Sequence, residues 1–312
     1  GDPDNKRLER RSPRPEESVP STRLRRNGPE MHQKRKSLTS ESSLRSETIG
    51  ELRYRLHMPS PHPYLDTSGP IPIAHRGGAG EWPENTMPAF QGAVDLGFEY
   101  VETDVHATSD GVLVAFHDDR LDRVTDKLGK VSELRWSDVK AALVDGQEPI
   151  PLFSELMRSF PDLKVNIDPK SNQAVEPLIR ELRDLDALDR VCVGAFSDAR
   201  LKRMHEEFGD AVCLSMGPIE VAKARLCAWG LPVRKFRARA AQVPISQGPI
   251  KIVDQRFVEK MHSCGIAVHV WTIDSADEMN WLLDVGVDGI MTDLPAALLE
   301  VMTRRGLWPH GG

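Results

Sequence analysis

Eight short runs of β-branched and other apolar residues, separated by stretches with helical periodicity, constrain the fold of this 312-residue chain more than any other feature. Strands that alternate with amphipathic helices are typical of parallel βα units. Eight such units over about 240 residues predict an α/β fold of the (β/α)8 TIM-barrel type. The predicted strands are Ile71–Ala74, Tyr100–Val105, Leu163–Ile167, Val191–Ala195, Val212–Ser215, Ala240–Val243, Ala267–Thr272 and Gly289–Thr292.

The segments between these strands are amphipathic and predict the outer helices of the barrel. Asn85 or Thr86 can cap the start of the first helix, and Gly97 can end it. A doubly wound open sheet is the rival arrangement, but no GxGxxG motif follows the first strand to support it. The later helices are predicted over 172–185, 198–208, 218–229, 254–264, 275–285 and 295–304.

An irregular unit follows the second strand. Asp110-Gly111 lies between two β-rich runs, which is a hairpin signal. We therefore expect a short antiparallel strand within 112–116 that returns His117 to the mouth of the barrel. The next connection, Asp119–Ile150, is only about 30 residues long with a short helix at 136–144, so the mouth should be fairly open.

The first 65 residues differ in composition from the rest of the chain. They are rich in Arg, Ser, Pro and Glu, and they contain too few apolar side chains to offset the entropy of ordering. Residues 1–50 carry 12 Lys and Arg against 8 Asp and Glu, whereas residues 51–312 carry 29 against 39. We predict a disordered basic tail over 1–65 and a barrel domain over 66–312. The tail could make a weak contact with a membrane surface, and we expect no nucleic-acid partner.

Composition excludes several classes of protein. No stretch approaches the roughly 18 apolar residues of a membrane-spanning helix, and we see no secretory signal, so we expect a cytoplasmic protein. The four cysteines are too few for a disulfide scaffold and have no CxxC spacing, which argues against a structural zinc site.

Carboxylates end two neighbouring strands of the predicted barrel, where TIM-barrel enzymes carry their catalytic groups. Glu102 and Asp104 are two apart and share one face of a strand, and Asp168 ends the next barrel strand. Three oxygen ligands without a thiolate suit a hard cation, Mg²⁺ or Ca²⁺. The alternative is that these acids form ion pairs with Arg76 and Lys170.

Two histidines at strand ends form the candidate acid–base pair. His75 follows the first strand and His117 ends the hairpin, and imidazole titrates near neutral pH. Arg76 and Lys170 are the cations that an anionic phosphoryl group needs. The other histidines are weaker candidates, because His106 should lie past the rim and two more should be structural, namely His262 and His269.

In combination and in order, these residues resemble the glycerophosphodiester phosphodiesterase family. The resemblance covers about residues 70–300 and omits the tail. It implies a TIM barrel that uses a divalent metal ion, Mg²⁺ or Ca²⁺, to hydrolyse glycerophosphodiesters to glycerol 3-phosphate and an alcohol. The motifs that carry it are His75-Arg76-Gly77, Glu84-Asn85-Thr86, Glu102-Thr103-Asp104-Val105, His117-Asp118, Val270-Trp271-Thr272-Ile273-Asp274 and Gly286-Val287-Asp288-Gly289-Ile290-Met291-Thr292-Asp293.

The resemblance also implies roles for matching positions. The three acids would hold the metal, the two histidines would be the acid–base pair, and the two cations would bind the phosphate. Trp271 would line the substrate side of the mouth, and Glu84 would lie close to the rim with an open role. The family usually has Glu where this chain has Asp168, whose carboxylate is set back by one C–C bond, about 1.5 Å. Asp168 could therefore bind the metal directly or through a water.

Two other functions compete with this reading. The first is a related barrel phosphodiesterase of the lysophospholipase D type or one that acts on sphingolipids, since an open mouth and a basic tail could serve a lipid interface. The second is a non-catalytic protein whose barrel serves binding or scaffolding, against which the intact histidines and acids argue.

Overall fold

The computed structural model describes residues 62–233 and 235–308, and the predictions for residues 1–61 lie outside the described residues. Thirteen strands occur in this part of the chain. In chain order they are β1 (Ile71–Ala74), β2 (Tyr100–Ala107), β3 (Leu113–Ala115), β4 (Leu143–Val144), β5 (Glu148–Pro149), β6 (Lys164–Pro169), β7 (Val191–Val193), β8 (Cys213–Leu214), β9 (Ala240–Val243), β10 (Ser246–Gln247), β11 (Ile250–Lys251), β12 (Ala267–Val270) and β13 (Gly289–Thr292).

Nine α-helices accompany these strands in the described ranges. Short 3₁₀ turns add to them, among them Pro63–Leu65 and His75–Gly77. The helices are α1 (Met87–Asp95), α2 (Trp136–Val139), α3 (Phe153–Ser159), α4 (Asn172–Asp184), α5 (Asp198–Phe208), α6 (Pro218–Ala228), α7 (Gln255–Ser263), α8 (Ala276–Val285) and α9 (Pro295–Arg304).

Eight parallel strands form a nearly closed barrel, as the alternating pattern predicts. Their order is β8-β7-β6-β2-β1-β13-β12-β9, and a single parallel bridge between Ser215 and Ala240 joins the two ends. The register places Asp104 beside Asp168 and Ala74 beside Thr292. Because all eight strands run the same way, their carboxyl ends open on one side of the barrel.

The predicted hairpin is present after β2. Strand β3 pairs antiparallel with β2, with Val105 opposite Ala115, and the turn contains Gly111 with a φ of 80°. The short helix predicted over 136–144 is wrong in its second half, because α2 ends at Val139 and the chain then enters the β4–β5 hairpin. Thr125 forms an isolated bridge with Val144 that fastens this hairpin to the preceding loop.

The first described residues cover the amino-terminal end of the barrel. Tyr64 is fully buried among side chains of the barrel interior, and its ring meets that of Tyr100 edge-on at 5.3 Å. The Tyr100 hydroxyl donates a hydrogen bond to the Tyr64 backbone oxygen at 2.8 Å. The structure thus places residues 62–65, the end of the predicted tail, on the barrel.

The helices of the described part are short. The longest, α4, has 13 residues, and a span of the hydrocarbon core needs about 20. None of the described helices is long and apolar enough to cross a membrane.

Candidate active site

A cavity of about 780 Å³ opens at the carboxyl ends of the barrel strands. Every predicted site residue except Glu84 lines it. The predicted residues that the structure brings together in this way are His75, Arg76, Glu102, Asp104, His117, Asp168, Lys170 and Trp271.

The turn after β1 presents two of these residues through an unusual backbone. Arg76 has a φ of 52°, and Gly77 has a φ of 79°. A Cβ atom at Gly77 would lie 2.8 Å from the Cβ of Ala89 in α1, so only glycine fits beneath this helix. The turn aims the Arg76 backbone N–H at Glu102, to which it donates a hydrogen bond of 3.1 Å.

His75 is held by carboxylates on both ring nitrogens. Its Nδ1 lies 2.6 Å from Asp293 Oδ1, and its Nε2 lies 3.7 Å from Glu102 Oε2. Burial lowers the pKa of His75, but the charges of Glu102 and Asp293 outweigh that effect and leave the pKa raised. From the sequence, Asp293 was named only as the last residue of the final motif, with no role of its own. Its contact with His75 spans 218 positions, and no local signal reveals it.

His117 reaches the same cavity from the β2–β3 hairpin. Its Nδ1 lies 2.6 Å from Asp118 Oδ1. The backbone N–H of Phe116 donates to the Asp104 carbonyl at 2.9 Å, which fixes the end of the hairpin against β2. His106 follows the last residue of β2 that pairs with β6, Val105, and does not line the cavity, in agreement with its expected place past the rim. It is buried, and its Nε2 donates to the His117 carbonyl at 3.0 Å, so it helps to position His117.

Two of the three acids, Asp104 and Asp168, form ion pairs with the two cations, as the ion-pair alternative predicts. Asp104 is buried and Asp168 is partly exposed. Lys170 Nζ lies 3.0 Å from Asp104 and 3.1 Å from Asp168, and Arg76 Nε lies 3.2 Å from Asp104. Glu102 is 4% exposed, and the nearest cationic group that it faces is His75. The cluster therefore contains three carboxyl groups and two side chains with a permanent positive charge.

The charge balance of this cluster shifts its titration. Burial, reinforced by the neighbouring Asp104, raises the pKa of Glu102. Burial also acts on Asp104, but Lys170 and Arg76 outweigh it and lower the pKa of that carboxyl. Burial raises the pKa of Asp168 despite the adjacent Lys170. The repulsion among these carboxylates thus favours a bound proton or a bound cation at the site.

Asn85 positions Asp104 from the start of α1. It is buried with a φ of 57°, its amide nitrogen donates to Asp104 Oδ2 at 3.1 Å, and its amide oxygen accepts from the Thr103 hydroxyl at 2.8 Å. The cap of α1 itself is Thr86, whose hydroxyl accepts from Ala89 N–H. The sequence indicated Asn85 only as a capping residue, since a left-handed Asn that turns inward is not visible in a motif.

A network of ion pairs joins the two histidine-bearing loops. Arg123 contacts Asp118 through Nε at 2.6 Å and Glu84 through Nη2 at 2.7 Å. Glu84 in turn accepts from Arg76 Nη1 at 3.2 Å. The Arg123 guanidinium lowers the pKa of Asp118 to about 2. Glu84 therefore links the cavity wall to Arg123, which sequence reasoning missed because the partners lie 39 positions apart.

The donor set at the mouth is all oxygen. As the side chains stand in the described ranges, no group of three or more His, Cys, Asp or Glu residues is arranged to hold a metal ion. Asp168 Oδ1 is nevertheless buried without a hydrogen-bond partner. A buried carboxylate oxygen without a partner, on the strand position next to Asp104, fits a hard cation by its chemistry.

The opposite wall of the cavity is apolar and comes largely from α6. One face of this helix borders the cavity from its first residue to its last turn, since the lining positions recur with helical spacing. They are Pro218, Val221, Ala222, Leu226 and, just after the helix, Trp229. The wall continues in Phe196, whose ring meets that of Trp271 edge-on with centroids 5.6 Å apart. The cavity therefore has a charged side and an apolar side.

Two carboxylate-held histidines, buried acids and two cations at the mouth of a TIM barrel define the site of a hydrolase for charged phosphate esters. Comparison with known proteins agrees. Residues 75–297 match the model of the glycerophosphoryl diester phosphodiesterase family. The chain therefore belongs to this family of enzymes, which hydrolyse glycerophosphodiesters.

Individual relatives are similar over most of their length. The chain is 38% identical over 257 residues to a Mycobacterium tuberculosis protein named probable glycerophosphodiester phosphodiesterase 2, covering 78% of this chain and 95% of that one. It is 28% identical to lysophospholipase D GDPD1 of Rattus norvegicus, covering 74% and 85%. A phosphodiesterase structure from Oleispira antarctica, in complex with the product sn-glycerol-3-phosphate, has the same fold with a TM-score of 0.63 at 21% identity, covering 75% and 97%.

Proposed function

We propose that the chain hydrolyses glycerophosphodiesters to glycerol 3-phosphate and an alcohol, with His75 and His117 as general acid and base. One observation carries the proposal. Each imidazole has its Nδ1 at 2.6 Å from a carboxylate, Asp293 for His75 and Asp118 for His117. Such a contact fixes the tautomer and leaves Nε2 as the nitrogen that can exchange a proton with a substrate in the cavity.

The cations of the charged side would bind the diester. Arg76 and Lys170 line the cavity beside the two histidines, and their charged groups can donate hydrogen bonds to the non-bridging oxygens of a phosphate. One histidine would remove a proton from the nucleophile, and the other would protonate the oxygen of the departing alcohol. The nucleophile is either water or the neighbouring glycerol hydroxyl, and the latter gives a cyclic phosphate. Product analysis by phosphorus NMR separates the two.

Glu102, Asp104 and Asp168 would hold a divalent cation, Mg²⁺ or Ca²⁺. When bound, such an ion supplies Lewis-acid stabilisation of the charge that develops on the phosphoryl oxygens. The support for this assignment is the all-oxygen donor set, the raised pKa of Glu102 beside Asp104 and the unpartnered Asp168 oxygen. Titration calorimetry of the chelator-treated chain with each metal tests it. A binding signal that Glu102→Gln abolishes is expected, and metal binding that this variant leaves unchanged would refute the assignment.

Histidine substitution tests the acid–base pair. General acid–base catalysis contributes about 10²–10⁴-fold, so His75→Ala and His117→Ala should each lower kcat for glycerophosphocholine by at least about 100-fold. His205→Ala is the matched control, because His205 lies on α5 outside the cavity lining. Near-normal turnover in either of the first two variants would disprove the assignment.

A lysophospholipase D reaction is the second candidate, and the apolar wall of α6 is the observation that favours it. A single-chain phospholipid could place its phosphate on the charged side and its acyl chain along Leu226 and Trp229. Turnover of glycerophosphocholine compared with that of lysophosphatidylcholine distinguishes the two substrates. A kcat/KM that is higher for the lysolipid would favour this second function, and turnover of the soluble diester alone would exclude it.

A further inference from the structure

We propose that the apolar rim of the cavity is a docking surface for a lipid aggregate, such as the surface of a bilayer. The rim consists of Phe196, Leu226, Trp229 and Ile250. These side chains are 66%, 41%, 52% and 48% exposed, and all of them line the cavity. They come from three separate parts of the chain, namely the loop after β7, the end of α6 and the β10–β11 hairpin.

Exposed apolar side chains are concentrated at this rim. The described part of the chain exposes seven large hydrophobic residues, and four of them form the rim. Two more, Ile219 and Leu231, lie on α6 or just after it, so only Leu128 lies elsewhere. Scattered surface hydrophobics need no explanation, but a contiguous exposed group marks an interaction site. The position of the group around the mouth makes the cavity part of the same surface.

Helix α6 does not have the polarity of an ordinary surface helix. An outer helix of a barrel buries one apolar face and exposes a polar one. In α6 the residues Ala224, Cys227 and Ala228 are buried on one side, while Leu226 and the following Trp229 are exposed on the cavity side. Leu226 and Trp229 keep about half of their surface exposed although Arg225 lies over the Trp229 ring, and water is a poor environment for this apolar area. A hydrocarbon-rich medium would satisfy it.

The charges around the rim favour a lipid surface over an acidic or neutral protein face. The carboxylates that line the cavity, Glu102, Asp104 and Asp168, belong to its opposite side. Among the lining residues, the side formed by α6 and the hairpin contributes one charged group, Arg225, which is buried and paired with Asp254. In the described part of the chain this side therefore adds no unpaired acid to the rim, and Lys251, which follows Ile250, is exposed. Exposed apolar and aromatic side chains together with an exposed lysine are common where a protein meets lipid headgroups.

Docking in this orientation would place the mouth of the cavity against the lipid. A phosphodiester headgroup could then enter the charged side without the lipid leaving its aggregate through bulk water. The inference rests on the proposed function only where it says that docking delivers a substrate to the cavity. Binding to lipid itself needs no turnover. There are two competing occupants of the rim. One is a second copy of the chain, and the other is a single acyl chain that enters the cavity.

Vesicle flotation of the full chain tests the docking surface. Phosphatidylcholine vesicles are used with and without phosphatidylglycerol, and the full chain should float with both. Burying the exposed part of one rim side chain in lipid contributes favourable free energy to binding. Trp229→Glu and Ile250→Glu should therefore each lower the partition coefficient for the vesicles at least about tenfold. Leu128→Glu is the matched control, because Leu128 is 76% exposed and does not line the cavity. It should float like the unchanged chain.

Two results would overturn the proposal. One is flotation that Trp229→Glu and Ile250→Glu reduce no more than Leu128→Glu does. The other is an absence of flotation together with a dimer that Trp229→Glu dissociates, which would assign the rim to a second copy. Thermal unfolding of each variant shows whether it is folded, and Ile250→Glu alone suffices if Trp229→Glu is not. Glycerophosphocholine turnover of the unchanged chain is measured in parallel, so that flotation without turnover would refute the proposed function and leave the docking surface standing.

Discussion

Replacing Asp293 by Asn removes the negative charge that faces His75 while it keeps the size of the side chain. Asp293 Oδ1 lies 2.6 Å from His75 Nδ1, and the two side chains are 31% and 14% exposed. The Asn oxygen can still accept a hydrogen bond from Nδ1. The variant therefore separates the electrostatic contribution of Asp293 from its contribution to the orientation of the ring.

The expected loss follows from the partial burial of the pair. Opposite unit charges at 4 Å attract by about 4 kcal/mol at an effective dielectric constant of about 20 and by about 1 kcal/mol in water. A pair at this exposure lies between these limits, so the protonated form of His75 should lose about 2 kcal/mol of stabilisation. If the imidazolium forms in the transition state, kcat should fall by about 10- to 100-fold.

The pH dependence gives a second readout. Burial lowers the pKa of His75, whereas Glu102 and Asp293 raise it. Without the Asp293 charge, the effect of burial is opposed less strongly, and the pKa of His75 falls. The limb of the kcat profile that reports His75 should therefore move to lower pH in Asp293→Asn, by an amount on the order of one pH unit.

A matched pair elsewhere in the barrel provides the control. His262 Nε2 lies 2.6 Å from Asp288 Oδ2, the same contact as at His75, but neither residue lines the cavity. Asp288→Asn should reduce thermal stability, since Asp288 also accepts from the Val268 N–H, and leave kcat unchanged. An Asp293→Asn enzyme with unchanged kcat and an unchanged pH profile would refute the role given to Asp293.

Three further predictions concern single side chains. Burial lowers the pKa of His269 to about 4, so the folded state binds its proton less readily than the unfolded chain does. The free energy of unfolding should be highest above the unfolded pKa near 6.5 and fall by about 3 kcal/mol as the pH drops towards 4, and urea unfolding of His269→Gln should show less of this dependence. Gly77→Ala should lower the free energy of unfolding by at least about 1–3 kcal/mol, because the residue has a positive φ and its Cβ would meet Ala89. Asp168→Glu should tighten divalent-metal binding in calorimetry, because the longer side chain extends the carboxylate by about 1.5 Å; unchanged or weaker binding would count against Asp168 as a ligand.

The barrel could be predicted because its signals are local and repeated. Each of the eight predicted strands overlaps an observed barrel strand, and the helices agree within one or two residues at most ends. The observed ends of the strands differ from the predicted ends where pairing with a distant strand determines where a strand stops. Strand β2 extends two residues beyond the prediction because β3 pairs with it, and β12 stops at Val270, before Trp271 turns to the cavity. These limits depend on neighbours that a local pattern does not contain.

The sequence was enough to predict most residues of the site, but it was not enough to predict the contacts that these residues make. Strand ends meet on one side of a barrel, and this topological rule is enough to bring His75, His117 and Glu102 together. The partners of these residues come from distant positions. Asp293 orients His75 across the closure between β1 and β13, and Arg123 joins Glu84 to Asp118 from a loop without a motif. Each contact requires the closed barrel before it can form.

Helix α6 carries the remaining difference between the sequence and the structure. Its apolar positions have the spacing of a helix that packs against a barrel, and the spacing was read in that way. The structure packs one of its faces against the core and turns another to the cavity, and Arg225 holds the helix there through a paired contact with Asp254 at the start of α7. Periodicity identifies an apolar face but does not identify what the face covers.

Substrate choice in this enzyme should therefore depend on the apolar wall more than on the charged side. If Arg76 and Lys170 bind the phosphate as proposed, they meet the same oxygens in every phosphodiester and do not distinguish a soluble headgroup from a lipid. The groups on the two sides of the phosphate differ in size and polarity, and the cavity offers them Trp271 and the face of α6. A substitution such as Leu226→Asn should change the ratio of kcat/KM between lysophosphatidylcholine and glycerophosphocholine while it leaves turnover of the soluble diester intact. An equal loss on both substrates would show that α6 supports the fold of the site and does not select its ligand.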